Sequence, residues 1–167
     1  MSLSMHQASI PPFKHVLSSL SAILDKAAAD AEARKIDPSV FISARLAPDM
    51  HPLSRQVQIA TDMAKGCAAR LAGVEPPSWP DTEASFPELK ERLAKAVAYL
   101  DTFTPEQIDA SHGRTITLKL GPQEVSMPAE AYLLTFVTPN VYFHVTAAYA
   151  ILRQNGVNIG KRDFMGG

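Results

Sequence analysis

Apolar residues recur every three to four positions over four long stretches of the chain, the spacing of one buried face of an α-helix. Phe13, Val16, Leu17, Leu20, Ile23, Leu24, Ala27, Ala28 and Ala31 form the first such stripe. It predicts a helix that begins near Ser9 and ends near Lys35, with Pro11 and Pro12 in a first turn that does not need their missing N–H groups. Asp37-Pro38 predicts a short turn through Phe41 and Ile42, followed by a proline-bounded connection over 46–52. A second helix covers 53–72, with Leu53, Val57, Ala60, Ala64, Cys67 and Leu71 facing inward. Arg55, Gln58, Asp62 and Lys65 form its polar side. Gly73 is a natural terminator, and Pro76-Pro77 prevents continuation.

Residues 74–84 read as an irregular linker. Ser85-Phe-Pro-Glu88 matches a capping box, which opens a third helix running to about Thr102 on a stripe of Leu89, Leu93, Val97 and Leu100. Thr104-Pro-Glu-Gln107 predicts a capped short turn. The period then changes from 3.6 to 2. Arg114 to Leu120 alternates polar and apolar residues, Gly121-Pro122 supplies a turn, and Gln123 to Met127 returns as a second strand. A fourth helix starts after Met127, with Pro128 at its first turn. Pro139 lies inside the pattern and is expected to kink or split it. The helix resumes through Leu152, with Gly156 as its C-cap, and the remaining tail is expected to turn back over the bundle.

Four amphipathic segments joined by long connections imply an all-α helical bundle with a small hairpin before its last helix. Isolated helices of this length need tertiary burial, so the Leu, Val and Ala stripes are core. The 167 residues suit a single domain over 1–167, large enough to bury roughly 70% of its unfolded surface. Composition adds mainly exclusions. The formal charge of −1 gives no basic field for nucleic acid or an anionic membrane. No apolar run reaches the roughly 18 residues of a spanning helix, and the N-terminal segment lacks the pattern of a signal peptide. One cysteine, Cys67, excludes an internal disulfide and fits a reducing, cytoplasmic setting.

The candidate chemistry lies on the last helix. Asn140 and His144 are four residues apart, hence about 40° apart around the axis. Val137, Val141, Ala147, Ala148 and Ile151 fall on or beside the same face, which therefore points inward. A polar group on a buried face must find a partner or perform a task. His144 reads either as a hydrogen-bonded core histidine or as a ligand or general base. Asn140 can orient it or bond the backbone that Pro139 frees. Tyr142 and Tyr149 share another side, suited to packing or a dimer contact. Cys67 reads as core, and His6, His15, His51 and His112 show no ligand spacing.

Several stretches together resemble the DUF1993 family, a branch of the DinB/YfiT-like superfamily. They are Pro52 to Asp62 (PLSRQVQIATD), Ala68 to Gly73 (AARLAG), Asn140 to Leu152 (NVYFHVTAAYAIL) and Asn155 to Phe164 (NGVNIGKRDF). The resemblance implies a DinB-like four-helix bundle with a long crossover, assembled as a homodimer, with a site between the second and fourth helices. It also implies a divalent metal held by three histidines, one on the second helix and two at His-x-x-x-His spacing on the last, where the metal activates water or a small thiol. Here His144 matches one of the last-helix ligands. Its fourth neighbours are Asn140 and Ala148, and the second helix offers only Gln56, Gln58 and Asp62 as oxygen donors.

The expected function is thus a DinB-like bundle with an altered or vestigial metal site, binding a small ligand with no tightly held metal. The alternative is a divalent-metal-dependent hydrolase or thiol-dependent transferase. There His144 with Asn140 and Asp62 holds zinc, nickel or manganese. A second alternative is a structural homodimer whose core contains a hydrogen-bonded histidine.

Overall fold

The computed structural model describes residues 3–167. Helix α1 spans Met5–Arg34, α2 Pro38–Ile42, α3 Leu53–Ala72, α4 Phe86–Leu100 and α5 Pro105–Asp109. Strands β1 (Thr115–Leu120) and β2 (Gln123–Pro128) precede α6 (Ala129–Ala131), a π-helical segment Tyr132–Val137, α7 (Thr138–Gln154) and α8 (Lys161–Phe164). The four long helices predicted from periodicity are α1, α3, α4 and α7. Both α1 and α3 pack mainly on α4 and α7, and the α3–α7 pairing is the most extensive of all. Consecutive long helices α1 and α3 therefore stand across one diagonal of the bundle, and α4 and α7 across the other. The connections over 35–52 and 101–128 cross the bundle to reach them.

Helix α1 starts a full turn earlier than the prolines suggest. Ser4 Oγ accepts the Gln7 N–H at 3.2 Å while the Gln7 side chain accepts the Ser4 N–H at 3.2 Å, a reciprocal cap that stabilises by about 1 kcal/mol. Met5, Ser9 and Ile10 are buried, and the His6 N–H donates to Asp109 at 2.7 Å. Pro11 and Pro12 thus sit in the helix interior. They deprive the Gln7 and Ala8 carbonyls of their usual donors. Gln7 and Pro11 are exposed, so water can supply one of them.

Pro139 acts differently from a simple break. It has no N–H for the Thr135 carbonyl, and the turn before it widens into the π-helical segment instead of stopping. The backbone runs on into α7 with helical angles at Val137 and Thr138. Asn140 Nδ2 donates to the Phe136 carbonyl at 2.6 Å, inside this irregular turn.

The strands pair antiparallel with Leu120 opposite Gln123, so Gly121-Pro122 forms a two-residue turn. Gly121 at φ 61° takes the left-handed position that such a turn demands. Ile116 and Leu118 turn one face of the hairpin into the common core. The tail folds back as expected: His15 Nε2 lies 3.0 Å from the Met165 carbonyl, and Lys26 pairs with Asp163.

The polar side of α3 is largely covered, although it lies away from the apolar stripe of that helix. Gln58 and Lys65 are buried and Asp62 is half-buried beneath the 74–84 linker and α4. The cause is Arg92 of α4, which enters this space almost fully buried. It donates to Thr61 Oγ1 at 2.8 Å and the Pro80 carbonyl at 3.0 Å, and pairs with Glu83, Asp62 and Asp81 at 2.9–3.0 Å. Trp79 closes the cluster, with the Lys65 and Lys95 ammonium groups 4.3 and 4.5 Å from its ring centre.

Candidate functional site

His144 reaches the middle of the α3–α7 interface. Its position is set by the stripe that drives α7 inward, since Val141, Val145, Ala148 and Ile151 beside it are all buried. The residue is only 8% exposed. Its partner is Gln56 of α3, which is 1% exposed and lies among Leu53, Val57 and Ala60. His144 Nδ1 is 2.7 Å from Gln56 Oε1, and Gln56 Nε2 donates to the His51 carbonyl at 3.0 Å. The Phe143 ring stands edge-on to the imidazole, 5.2 Å between centres. No protein partner engages His144 Nε2 among the described residues.

Burial disfavours the charged form of this ring, and the nearby His51 and Arg55 side chains disfavour it further. Together they hold the imidazole below its ordinary pKa of 6.5. The neutral ring is the form that accepts a proton or ligates a metal.

The other expected site residues are spent elsewhere. Asn140 gives its amide to Phe136, as noted. Asp62 pairs with Lys65 at 2.8 Å and with Arg92, so it belongs to the α3–α4 network and not to the His144 side of α3. Cys67 is fully buried, and burial pushes its thiol pKa far up, which fits a core residue and not a nucleophile. His112 is exposed and faces Glu130 at 2.6 Å.

Three imidazoles around an open position are what the resemblance asks of a metal site. The residues here do not fit that pattern. His144 supplies one nitrogen, Ala148 supplies no donor, and the α3 residue facing the ring is an amide whose oxygen already meets Nδ1. Among the described residues, no three or more His, Cys, Asp or Glu side chains gather where they could hold an ion.

Gln56, one of the three oxygen donors that the sequence offered on the second helix, is the one that meets the ring, and its pairing with His144 was not foreseen. The signal was present: Leu53, Gln56, Val57 and Ala60 are spaced i, i+3, i+4, i+7, so one polar residue interrupts an inward face. Arg92 among Leu89, Leu93 and Ala96 gives the same signal on α4.

Comparison with known proteins agrees with the geometry. The model of the family described as "Domain of unknown function (DUF1993)" matches residues 5–165, so the chain belongs to the DUF1993 family. Among solved structures, it is similar to a DinB family member protein from Shewanella denitrificans. The two share 37% identity, with 97% of this chain and 92% of that one covered, at a TM-score of 0.88. The fold is therefore the DinB-like four-helix bundle with its hairpin before the last helix. No curated protein matches the chain.

Proposed function

We propose that this chain is a single-domain DinB-like module that binds a small ligand at His144, with no tightly held metal. The observation that supports this reading is the distribution of donors at the site. Asn140, Gln56 and Asp62 are each committed to protein partners, whereas one nitrogen of a neutral, nearly buried imidazole has none. Such a nitrogen can take a hydrogen bond from a ligand, and His144 then serves as the binding group and, in an enzyme, as general base. The setting we infer is cytoplasmic. The described residues contain no helix long and apolar enough to cross a membrane.

The experiment is a thermal-shift screen of organic ligands on protein purified without a histidine tag, with elemental analysis of the same sample. We expect less than stoichiometric metal and a rise in Tm with a ligand that chelator does not reverse. Stoichiometric zinc, nickel or manganese that disappears in His144→Ala would overturn the reading in favour of a metal-dependent hydrolase or thiol transferase. One observation favours that alternative: the lowered pKa keeps the ring in the form that ligates metals.

We further propose that the module is a homodimer. Leu134, Tyr142 and Phe143 are 58%, 36% and 57% exposed, which supports an interface along the π-helical segment and α7.

A further inference from the structure

We infer that Gln56 is a positioning residue that fixes which nitrogen of His144 is bare. This inference rests on His144 being the binding group, and it specifies the chemistry that group can recognise. The His51 carbonyl oxygen has no hydrogen to give, so the group facing it at 3.0 Å must be the NH2 of the Gln56 amide. The amide is planar, so its oxygen points the other way, 2.7 Å from His144 Nδ1. That oxygen can only accept. Nδ1 must therefore carry a hydrogen, and in the neutral ring Nε2 is then an unprotonated lone pair.

An imidazole free in water prefers the opposite tautomer, with its proton on Nε2. The relay from the His51 carbonyl through Gln56 to Nδ1 reverses that preference. It does so rigidly, because Gln56 and His144 are both nearly buried and a misoriented amide would leave unpaired polar atoms. The reversal decides the ligand class. A bare Nε2 accepts from a group that carries a hydrogen, such as an alcohol, a thiol or an azole N–H. It repels the lone pairs of a carboxylate or a phosphate dianion. Burial also opposes the protonated ring that such anions would need.

The test uses two-bond 1H–15N correlation spectra of the His144 ring in the full chain, recorded without ligand above the titration of the ring. The spectra distinguish a protonated, pyrrole-like nitrogen from a bare, pyridine-like one. We expect Nδ1 to be pyrrole-like and Nε2 pyridine-like in the wild type. Gln56→Glu keeps an acceptor opposite Nδ1 and should keep this pattern. Gln56→Met removes the acceptor at similar volume and should move the proton predominantly to Nε2. A loss of packing alone would perturb both variants alike and would not separate them. A pyridine-like Nδ1 in the wild type would overturn the inference whether or not either variant folds. So would an unchanged pattern in Gln56→Met. Because the spectra need no ligand, a failed ligand screen would sink the binding role and leave the tautomer result standing, and the converse also holds.

Discussion

At the residue scale, His144 couples the site to stability. Its pKa lies below the unfolded value of 6.5, so between those two values the unfolded chain binds more protons than the folded one. Stability therefore falls as pH drops through about 6.5 and levels off, as far as this residue is concerned, below the folded pKa. The loss is absent above the unfolded value. Urea unfolding of the wild type and of His144→Gln across this range should isolate the effect. The wild type is expected to lose stability more steeply on acidification than the variant, and parallel curves would count against a buried neutral ring. His144→Ala should lower stability by about 1–3 kcal/mol at neutral pH, since it strands the buried Gln56 oxygen.

At the scale of elements, the best legible features were those set by local rules. The bounds of α3 follow from a clean apolar stripe and a terminating glycine, and α2, α4 and α5 start at their Asp, Ser and Thr caps. Two of the prolines were misleading because their effect depends on surroundings. Pro11 and Pro12 read as a helix start, yet burial of Met5 and Ile10 carries the helix past them. Pro139 was expected to kink or split its helix, and the form this takes is a π-helical segment, Tyr132–Val137, directly before it. Arg92 makes the sharpest prediction here. It holds the 74–84 linker against α3 and α4 through Asp81, Glu83 and the Pro80 carbonyl. Arg92→Met removes the cation from a partly buried set of carboxylates and should destabilise by about 3 kcal/mol, discounted from the fully buried case because Asp81 is exposed. Limited proteolysis should then cut within 74–84, whereas the wild-type linker resists.

At the scale of the whole molecule, the ring of helices explains why one side of α3 serves a site and the other a structural network. Its α7 side meets His144 through Gln56, and its α4 side meets Arg92 through Thr61 and Asp62. Leu134 of the π-helical segment and Tyr142 and Phe143 of α7 are left exposed, while Tyr149 packs edge-on against Phe164 of the tail. The proposed dimer predicts sedimentation at twice the chain mass at micromolar concentration. Phe143→Glu should shift it to monomer with little change in helix content, and a wild type that is monomeric throughout would end the proposal.

The amino-acid order alone determined the four helices, the hairpin and the inward direction of His144. These depend on periods of 3.6 and 2, and on caps that act within one turn. It also showed that the three-histidine pattern is broken, because that requires only residue identity and spacing. Only the tertiary structure decided that Gln56 faces the ring, that Asp62 turns away to Arg92, and that the polar side of α3 is covered. Partners 88 and 30 residues apart in the chain are joined by how helices pack side by side, and no local period encodes that choice.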